Sequence, residues 1–132
     1  MPNNKHVNSQ VPPGFEEQLK NIAVDFDGVV HNFDRGWHDG TCYGDPIEGS
    51  LEAIKELSKT YNVIIFSAKV RPDRPLVDGK GGTELVEEWL KKHGVMSYVK
   101  EITHEKPRAQ YYIDDKAIRF ENNWEEILDE VK

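Results

Sequence analysis

Hydrophobic residues along the chain form short runs, separated by segments in which they recur at helical spacing. Residues 22–26 and the stretches "YNVIIFSA", "YVKEI" and "QYYIDD" predict four strands, and "AIRF" predicts a short fifth strand. Between the first two strands, apolar residues three apart predict a helix over about residues 48–59. Apolar strands that alternate with helices are typical of a parallel sheet covered on both faces, so we expect an α/β fold.

Two further helices follow the second strand. In "TELVEEWLKKHG", Thr83 is placed to cap the helix, Glu84 lies in the first turn, and Gly94 follows as the stop. Residues 124–131 predict a closing helix. The region after the second strand therefore continues the alternation of strands and helices.

The first 20 residues differ from the remainder of the chain. They are polar and contain Pro-Pro-Gly, a sequence that does not hold regular structure. We expect residues 1–20 to form a flexible arm, with a short helical turn over residues 15–20. Residues 21–132 are then expected to form one domain, which is long enough to bury a core.

The composition narrows the classes of function. No apolar run approaches the length of a membrane span and the N-terminus has no signal-peptide core, so we expect no membrane association. Cys42 is the only cysteine, which excludes an intrachain disulfide and favours a reducing, cytoplasmic setting. The net charge of −7 argues against broad, sequence-independent binding to nucleic acid, although it allows a local basic pocket.

Polar residues gather where the predicted strands end. Ligands of parallel α/β sheets bind outside the carboxyl ends of the strands, so these residues should share one rim. They comprise carboxylates, a hydroxyl and ammonium groups: Asp25, Asp27, Ser67, Lys69, Lys106, Asp114 and Asp115. Neighbouring carboxylates raise each other's pKa unless a cation lies among them, and Mg2+ prefers oxygen ligands of this kind. The rim therefore predicts a Mg2+ site.

Four of these stretches, "DFDGVV", "FSAK", "EKP" and "YYIDD", resemble in this order the four motifs of the haloacid dehalogenase-like (HAD) superfamily. The resemblance covers roughly residues 22–120. It implies a Rossmann-like three-layer fold with a parallel sheet of about five strands and no cap domain. It also implies that the first strand is central, between the second and the fourth.

The resemblance implies a role for each motif residue. Asp25 is similar to the nucleophile that accepts the phosphoryl group as an aspartyl phosphate. Asp27 matches the general acid and base, and its backbone carbonyl would bind the metal. Ser67 would donate a hydrogen bond to the phosphoryl oxygens. Lys106 would neutralise Asp25 and the transferring group.

The remaining assignments concern the metal and the substrate. The predicted metal ligands are Asp25, Asp27, Asp114 and Asp115. Within the last pair, Asp115 is favoured as the direct metal ligand, and Asp114 would orient bound water or Lys106. The loop "AKVRPDRPLVDGKGG" carries two substrate-binding candidates, Lys69 and Arg71, and a solvated flexible loop is the alternative interpretation.

The substrate class follows from the absence of room for a cap. Only about residues 28–46 separate the first motif from the next helix, which is enough for a flap and too short for a domain. An open site suits a large substrate, or a small one if the flap or a second copy of the chain closes over it. The "IDD" ending and a Trp-containing helix after the second motif are similar to polynucleotide phosphatases and deoxyribonucleotidases. We therefore expect a nucleotide or another small phosphorylated metabolite, with a nucleic-acid end phosphate as the alternative.

Two other function classes compete with a phosphatase. A receiver-like phospho-acceptor also gathers Asp, Ser or Thr and Lys on a parallel sheet, but its acidic pair precedes the phosphorylated aspartate. A degenerate HAD fold retained as a binding module would not need the full set of motifs. His31, His38 and Cys42 do not have the spacing of a common zinc site, and no signal marks Cys42 as an activated nucleophile.

Overall fold

The computed structural model of the chain describes Pro13, Gly14 and residues 16–132, except for the side chains of Gln18 and Leu19. Most of the expected arm therefore lies outside the described residues, and its last part forms a 3-10 helix over Glu16–Lys20. The strands are β1 (Asn21–Asp25), β2 (Asn62–Phe66), β3 (Val99–Thr103) and β4 (Tyr111–Ile113). The helices are α1 (Ser50–Leu57), α2 (Gly82–Lys92) and α3 (Trp124–Val131).

The four strands form one parallel sheet in the order β3-β2-β1-β4. The parallel α/β architecture and the central place of β1, between β2 and β4, are confirmed. The expected fifth strand is wrong: residues 117–120 form no strand in the described chain. The physical reason is that β4, only three residues long, offers a short edge for pairing, and Ile118 and Phe120 remain exposed.

The bounds of the helices depend on close backbone packing as well as on propensity. The helix α1 begins after Gly49, whose φ of 85° suits glycine, and it is shorter than predicted at both ends. The expected cap at Thr83 is wrong, because α2 already begins at Gly82. A Cβ at Gly82 would clash with the carbonyl oxygen of Lys69, so only glycine fits at the first residue of this helix. Gly94, with a φ of 76°, follows the helix as expected.

The core lies around β1 and β2 and extends to α2. The buried side chains of Val24 and Ile65 project from the two central strands, and Phe26 packs edge-on against Trp89 of α2, with ring centroids 5.2 Å apart. Each such apolar side chain contributes roughly 1.5–3 kcal/mol when it is fully buried. The core therefore anchors the carboxyl ends of the central strands.

The opposite edge of the sheet is less covered. The side chains of β4 are exposed by 38–42%, and Trp124 and Leu128 of α3 are exposed as well. The expectation of a sheet covered across its full width is thus wrong at β4. None of the described helices combines the length and the apolar character needed to cross a membrane.

Candidate active site

The carboxyl end of β1 presents Asp25. Its Oδ1 accepts a hydrogen bond of 2.8 Å from the backbone N–H of Phe26. Burial raises the pKa of Asp25 to about 6 against the opposing effect of this bond, and the negative charges of Asp114, Asp115 and Asp27 add to the rise. Asp25 is therefore a half-buried carboxyl held among other carboxylates, which is the environment expected where a cation binds.

Asp114 and Asp115 reach Asp25 because β4 pairs with β1, with Ile113 beside Val24. One carboxylate oxygen from each of the three aspartates lies within 4.8 Å of the others. This all-oxygen donor set fits a hard divalent cation such as Mg2+. Both members of the pair belong to the group, so the expected difference between Asp114 and Asp115 stays a prediction.

Gly28 is required for this convergence. Its φ is 86°, and a Cβ at this position would lie 2.5 Å from Oδ2 of Asp115. Any other residue would push the Asp115 carboxylate away from the loop that follows β1. The glycine of the first motif thus allows the carboxylate of the last motif to approach.

Asp27 has a buried partner at each carboxylate oxygen. Its Oδ1 lies 2.9 Å from Nδ1 of His31, and its Oδ2 lies 3.6 Å from Nζ of Lys69. The side chains of His31 and Lys69 are 0% and 1% exposed, whereas that of Asp27 is 14% exposed. The structure therefore holds Asp27 from two sides and leaves it in contact with the cleft.

Ser67 follows β2 and lies beside Asp25 in the same cleft. Its Oγ accepts a hydrogen bond of 3.0 Å from the backbone N–H of Lys69. Because a hydroxyl has one donor besides its lone pairs, the O–H of Ser67 can still donate to a bound group. This arrangement is compatible with the expected contact to a phosphoryl oxygen.

The two substrate-binding candidates of the following loop are placed differently. Lys69 is buried; its Nζ lies 4.5 Å from the ring centroid of Trp37 and 5.3 Å from that of Phe33. Arg71 is exposed and pairs with Asp73 at 2.9 Å. Lys69 thus contacts the general acid candidate and the aromatic side chains of the flap, whereas Arg71 does not line the cleft around Asp25.

Lys106 is not brought to Asp25. Its Nζ lies 4.4 Å from the ring centroid of Tyr112, and no described carboxylate lies within ion-pair distance of it. The side chain is exposed and does not line the cleft. Of the two predicted ammonium groups, the structure places that of Lys69 beside the motif aspartates.

The cleft above Asp25 has a volume of about 310 Å³. Besides the motif residues, its lining includes two aromatic side chains, Phe33 and Trp37, and two cationic ones, Arg74 and Lys116. Arg74 also lies over the Trp37 ring, with Cζ 4.9 Å from the centroid. The cleft therefore combines carboxylates, aromatic rings and positively charged groups, and Nζ of Lys116 lies 3.7 Å from Oδ2 of Asp115.

Sequence reasoning missed His31 and Lys116 as members of the site. The sequence spacing tests His31 only as a zinc ligand, because a position four residues after Asp27 has no fixed geometry in a loop. Within the part of the chain that the structure describes, the group suited to a metal is the aspartate trio and includes neither His31 nor Cys42. Burial raises the pKa of the Cys42 thiol to about 12, which opposes formation of a nucleophilic thiolate.

No family model, curated protein or solved structure matches this chain. The resemblance to the HAD superfamily therefore rests on the four sequence motifs, of which the structure brings the first, second and fourth to one cleft.

Proposed function

We propose that this chain is a Mg2+-dependent phosphomonoester hydrolase of the HAD type that acts through an aspartyl phosphate. The observation that carries the proposal is the convergence of Asp25, Asp27, Ser67 and Asp115 on one cleft at the carboxyl end of the sheet. These groups are the nucleophile, the proton donor, a phosphoryl hydrogen-bond donor and a metal ligand that the reaction requires.

In the proposed first half-reaction, a carboxylate oxygen of Asp25 forms a bond to phosphorus, and the bond between phosphorus and the leaving oxygen breaks. Asp27 gives its proton to that leaving oxygen, so an alcohol departs. In the second half-reaction, Asp27 takes a proton from water as the water oxygen attacks phosphorus. Inorganic phosphate then leaves, and Asp25 returns to its carboxylate form.

The aspartate trio supports the metal part of the proposal. Asp25, Asp114 and Asp115 would hold the ion, together with the backbone carbonyl of Asp27. When bound, Mg2+ supplies positive charge that lowers the repulsion between the Asp25 carboxylate and a phosphate dianion. The raised pKa of Asp25 agrees with this need, because the chain itself surrounds that carboxyl with negative charge.

In this proposal, positive charge from the protein comes from two cationic side chains that line the cleft and from one that lies outside it in the structure. Arg74 and Lys116 line it directly, while Lys106 is kept as the lysine of the third motif that meets the phosphoryl group when substrate binds. Lys69 is assigned to Asp27 rather than to the substrate, because its ammonium group is buried beside that carboxylate.

The proposed substrate is a nucleotide or another small phosphorylated metabolite. The aromatic faces of Phe33 and Trp37 beside the nucleophile suit a planar group, and the volume of the cleft suits a small molecule. The site is proposed to be capless, with the flap or a second copy of the chain covering it. A net charge of −7 disfavours a long polyanion, which makes a nucleic-acid end the second choice, and the single cysteine supports a cytoplasmic location.

A phosphatase assay tests the proposal. The purified chain is offered p-nitrophenyl phosphate, mononucleotides, sugar phosphates and end-phosphorylated oligonucleotides, with Mg2+ or with EDTA. We expect release of phosphate with Mg2+ and none with EDTA, and restoration on adding Mg2+ in excess. Asp25→Asn should abolish turnover, while Asp129→Asn, an exposed carboxylate on α3, serves as the matched control.

Full activity in EDTA, or in Asp25→Asn, would contradict the mechanism. Trapping of the aspartyl phosphate by acid quenching separates the remaining alternatives. Phosphorylation of Asp25 by acetyl phosphate, without catalytic turnover of any phosphomonoester, would favour the receiver-like acceptor. Neither phosphorylation nor hydrolysis would favour the binding module.

A further inference from the structure

We propose that His31 is a positioning residue for Asp27, and that the backbone N–H of Gly44 sets the tautomer in which it acts. The inference rests on the proposed function, since it concerns the residue assigned as general acid and base. It adds a residue that belongs to none of the four motifs.

The two ring nitrogens of His31 have different partners. The backbone N–H of Gly44 donates to Nε2 at 2.8 Å, so Nε2 must offer its lone pair. The ring proton of the neutral imidazole then lies on Nδ1, which is 2.9 Å from Oδ1 of Asp27. The direction of this second bond follows from the first: His31 donates and Asp27 accepts.

Packing holds the imidazole in this orientation. The ring is 0% exposed and stacks on Phe26 with centroids 5.0 Å apart and an interplanar angle of 2°. Trp89 and Tyr43 meet it edge-on, at 5.6 Å and 5.3 Å. A rotation of the ring would disturb three aromatic contacts as well as both hydrogen bonds.

Gly44 is itself held by contacts from other parts of the fold. Its carbonyl oxygen accepts a hydrogen bond of 2.9 Å from Nε1 of Trp89 in α2. A Cβ at Gly44 would lie 2.1 Å from the carbonyl oxygen of Asn32, so only glycine fits there. The position of the N–H that faces His31 is thus determined by the core helix and by the neighbouring segment of the flap around Asn32.

As a consequence, the two carboxylate oxygens of Asp27 have different partners. Oδ1 is committed to His31, whereas Oδ2 faces Lys69 at 3.6 Å, beyond a good hydrogen bond. Oδ2 is therefore the oxygen that exchanges the proton in the proposed reaction. A general acid must be held to within about 0.5 Å of its productive position, which the buried bond from His31 provides.

Two substitutions of His31 distinguish a role in positioning Asp27 from a role in packing alone. In His31→Asn the amide N–H occupies the place of Nδ1, so the bond to Asp27 is kept and that to Gly44 is lost. In His31→Gln the amide oxygen occupies the place of Nε2, so the bond to Gly44 is kept and that to Asp27 is lost. The same pair of changes at the exposed His104 provides the matched control.

With an alkyl phosphate, we expect His31→Gln to lower kcat by about 10²-fold with little change in KM, and His31→Asn to stay within about tenfold of wild type. The leaving group of p-nitrophenyl phosphate needs little protonation. With this substrate, His31→Gln should therefore lower the rate of the phosphorylation step by a smaller factor than with an alkyl phosphate. Melting temperatures are measured in parallel. If His31 only packed the flap, loss of kcat would follow loss of stability and would not depend on the leaving group.

A second measurement does not depend on activity or on how well the variants fold. Nitrogen-15 NMR of the wild-type imidazole should show a protonated Nδ1 and an unprotonated Nε2. A proton on Nε2, or equal losses of kcat in the two His31 variants of an active enzyme, would overturn the positioning role and leave the proposed function standing. A wild-type chain that hydrolyses no phosphomonoester would instead overturn the proposed function, and the positioning role with it.

Discussion

The two halves of the candidate site are built differently. At the ends of β1 and β2, Asp27 and Ser67 have hydrogen-bond partners from buried groups. At the ends of β3 and β4, Lys106 and the Asp114–Asp115 pair are exposed. The reason is their place in the sheet, since β1 and β2 have a strand on each side and β4 is a three-residue edge strand. The chain thus preorganises the half that holds the proposed acid and base, and it leaves the half that holds Lys106 and the Asp114–Asp115 pair open to solvent.

This difference has an energetic basis. Polar groups withdrawn from water need partners, which is why Asp27 is held by both His31 and Lys69. Exposed charges gain or lose little free energy through pairing, so Lys106 and Asp114 can remain in solvent at little cost to stability. The Oδ1 of Asp114 accepts a local hydrogen bond of 2.8 Å from the backbone N–H of Lys116. We infer that ligand binding will change the side-chain conformations of the β3–β4 half more than those of the β1–β2 half.

Among the variants that compare the two halves, Asp27→Asn in the preorganised half is expected to have the largest effect. General acid and base catalysis contributes about 10²–10⁴-fold, so turnover of an alkyl phosphate should fall by about two to three orders of magnitude. With p-nitrophenyl phosphate the phosphorylation step should fall much less, and phosphoenzyme should accumulate because its hydrolysis still needs the base. Quench-flow measures both. Equal losses on the two substrates, without an accumulated intermediate, would show that Asp27 is not the acid and base.

The comparison also predicts a difference in stability between matched isoleucines. Ile65 of β2 is 0% exposed, so Ile65→Ala should lower the free energy of unfolding by about 3 kcal/mol. Ile113 of β4 is 38% exposed, and Ile113→Ala should cost less than about 1 kcal/mol. Urea unfolding of the two variants checks this. Equal costs would mean that the β4 edge is covered in solution.

Substitution of Lys69 should mainly affect stability, whereas substitution of Lys106 should mainly affect activity. Lys69→Met leaves Asp27 without its buried cation and should lower the free energy of unfolding by about 2 kcal/mol. Lys106→Met should leave unfolding nearly unchanged while lowering turnover by about 10²-fold, because the charge proposed to meet the phosphoryl group is lost. Unfolding curves and steady-state rates are compared. Wild-type turnover in Lys106→Met would assign the neutralising charge elsewhere.

The smallest expected effect concerns pH and the metal-free protein. Because the pKa of Asp25 is about 6 in the folded chain against 3.8 for the ordinary group, the folded state holds more protons between these values. The stabilisation by the protonated carboxyl is complete below pH 3.8 and is lost as the pH rises through about 6.

Since water reaches much of this carboxyl, we expect the loss to be about 1 kcal/mol. Thermal unfolding in EDTA across this pH range measures the loss of stability. In Asp25→Asn, this contribution to the pH dependence of the free energy of unfolding should be absent. Mg2+ at pH 7 should raise the melting temperature of wild type more than that of Asp25→Asn. The same pH dependence in both proteins would place the titrating group elsewhere.

Sequence alone determined most of the fold. Each of the four strands and three helices was predicted within a few residues, because the apolar spacing of a strand or helix is a local property. The resemblance to the HAD superfamily also predicted that β1 lies between β2 and β4, which brings Asp114 and Asp115 to Asp25. The errors arose where local signals were weak or overridden: the "AIRF" run forms no strand beside the short edge strand β4, and α2 begins at Gly82, in close contact with the backbone of Lys69, rather than after a cap at Thr83.

Only the tertiary structure decided how the site is arranged. It placed Lys69 beside Asp27 and left Lys106 exposed, although both lysines follow predicted strands. It joined His31 to Asp27 through a tautomer set by Gly44. Such contacts depend on how loops are held by a distant helix, and a hydrogen bond requires placement within a few tenths of an ångström. Residue spacing in a loop carries no information of that accuracy, whereas the packed core supplies it.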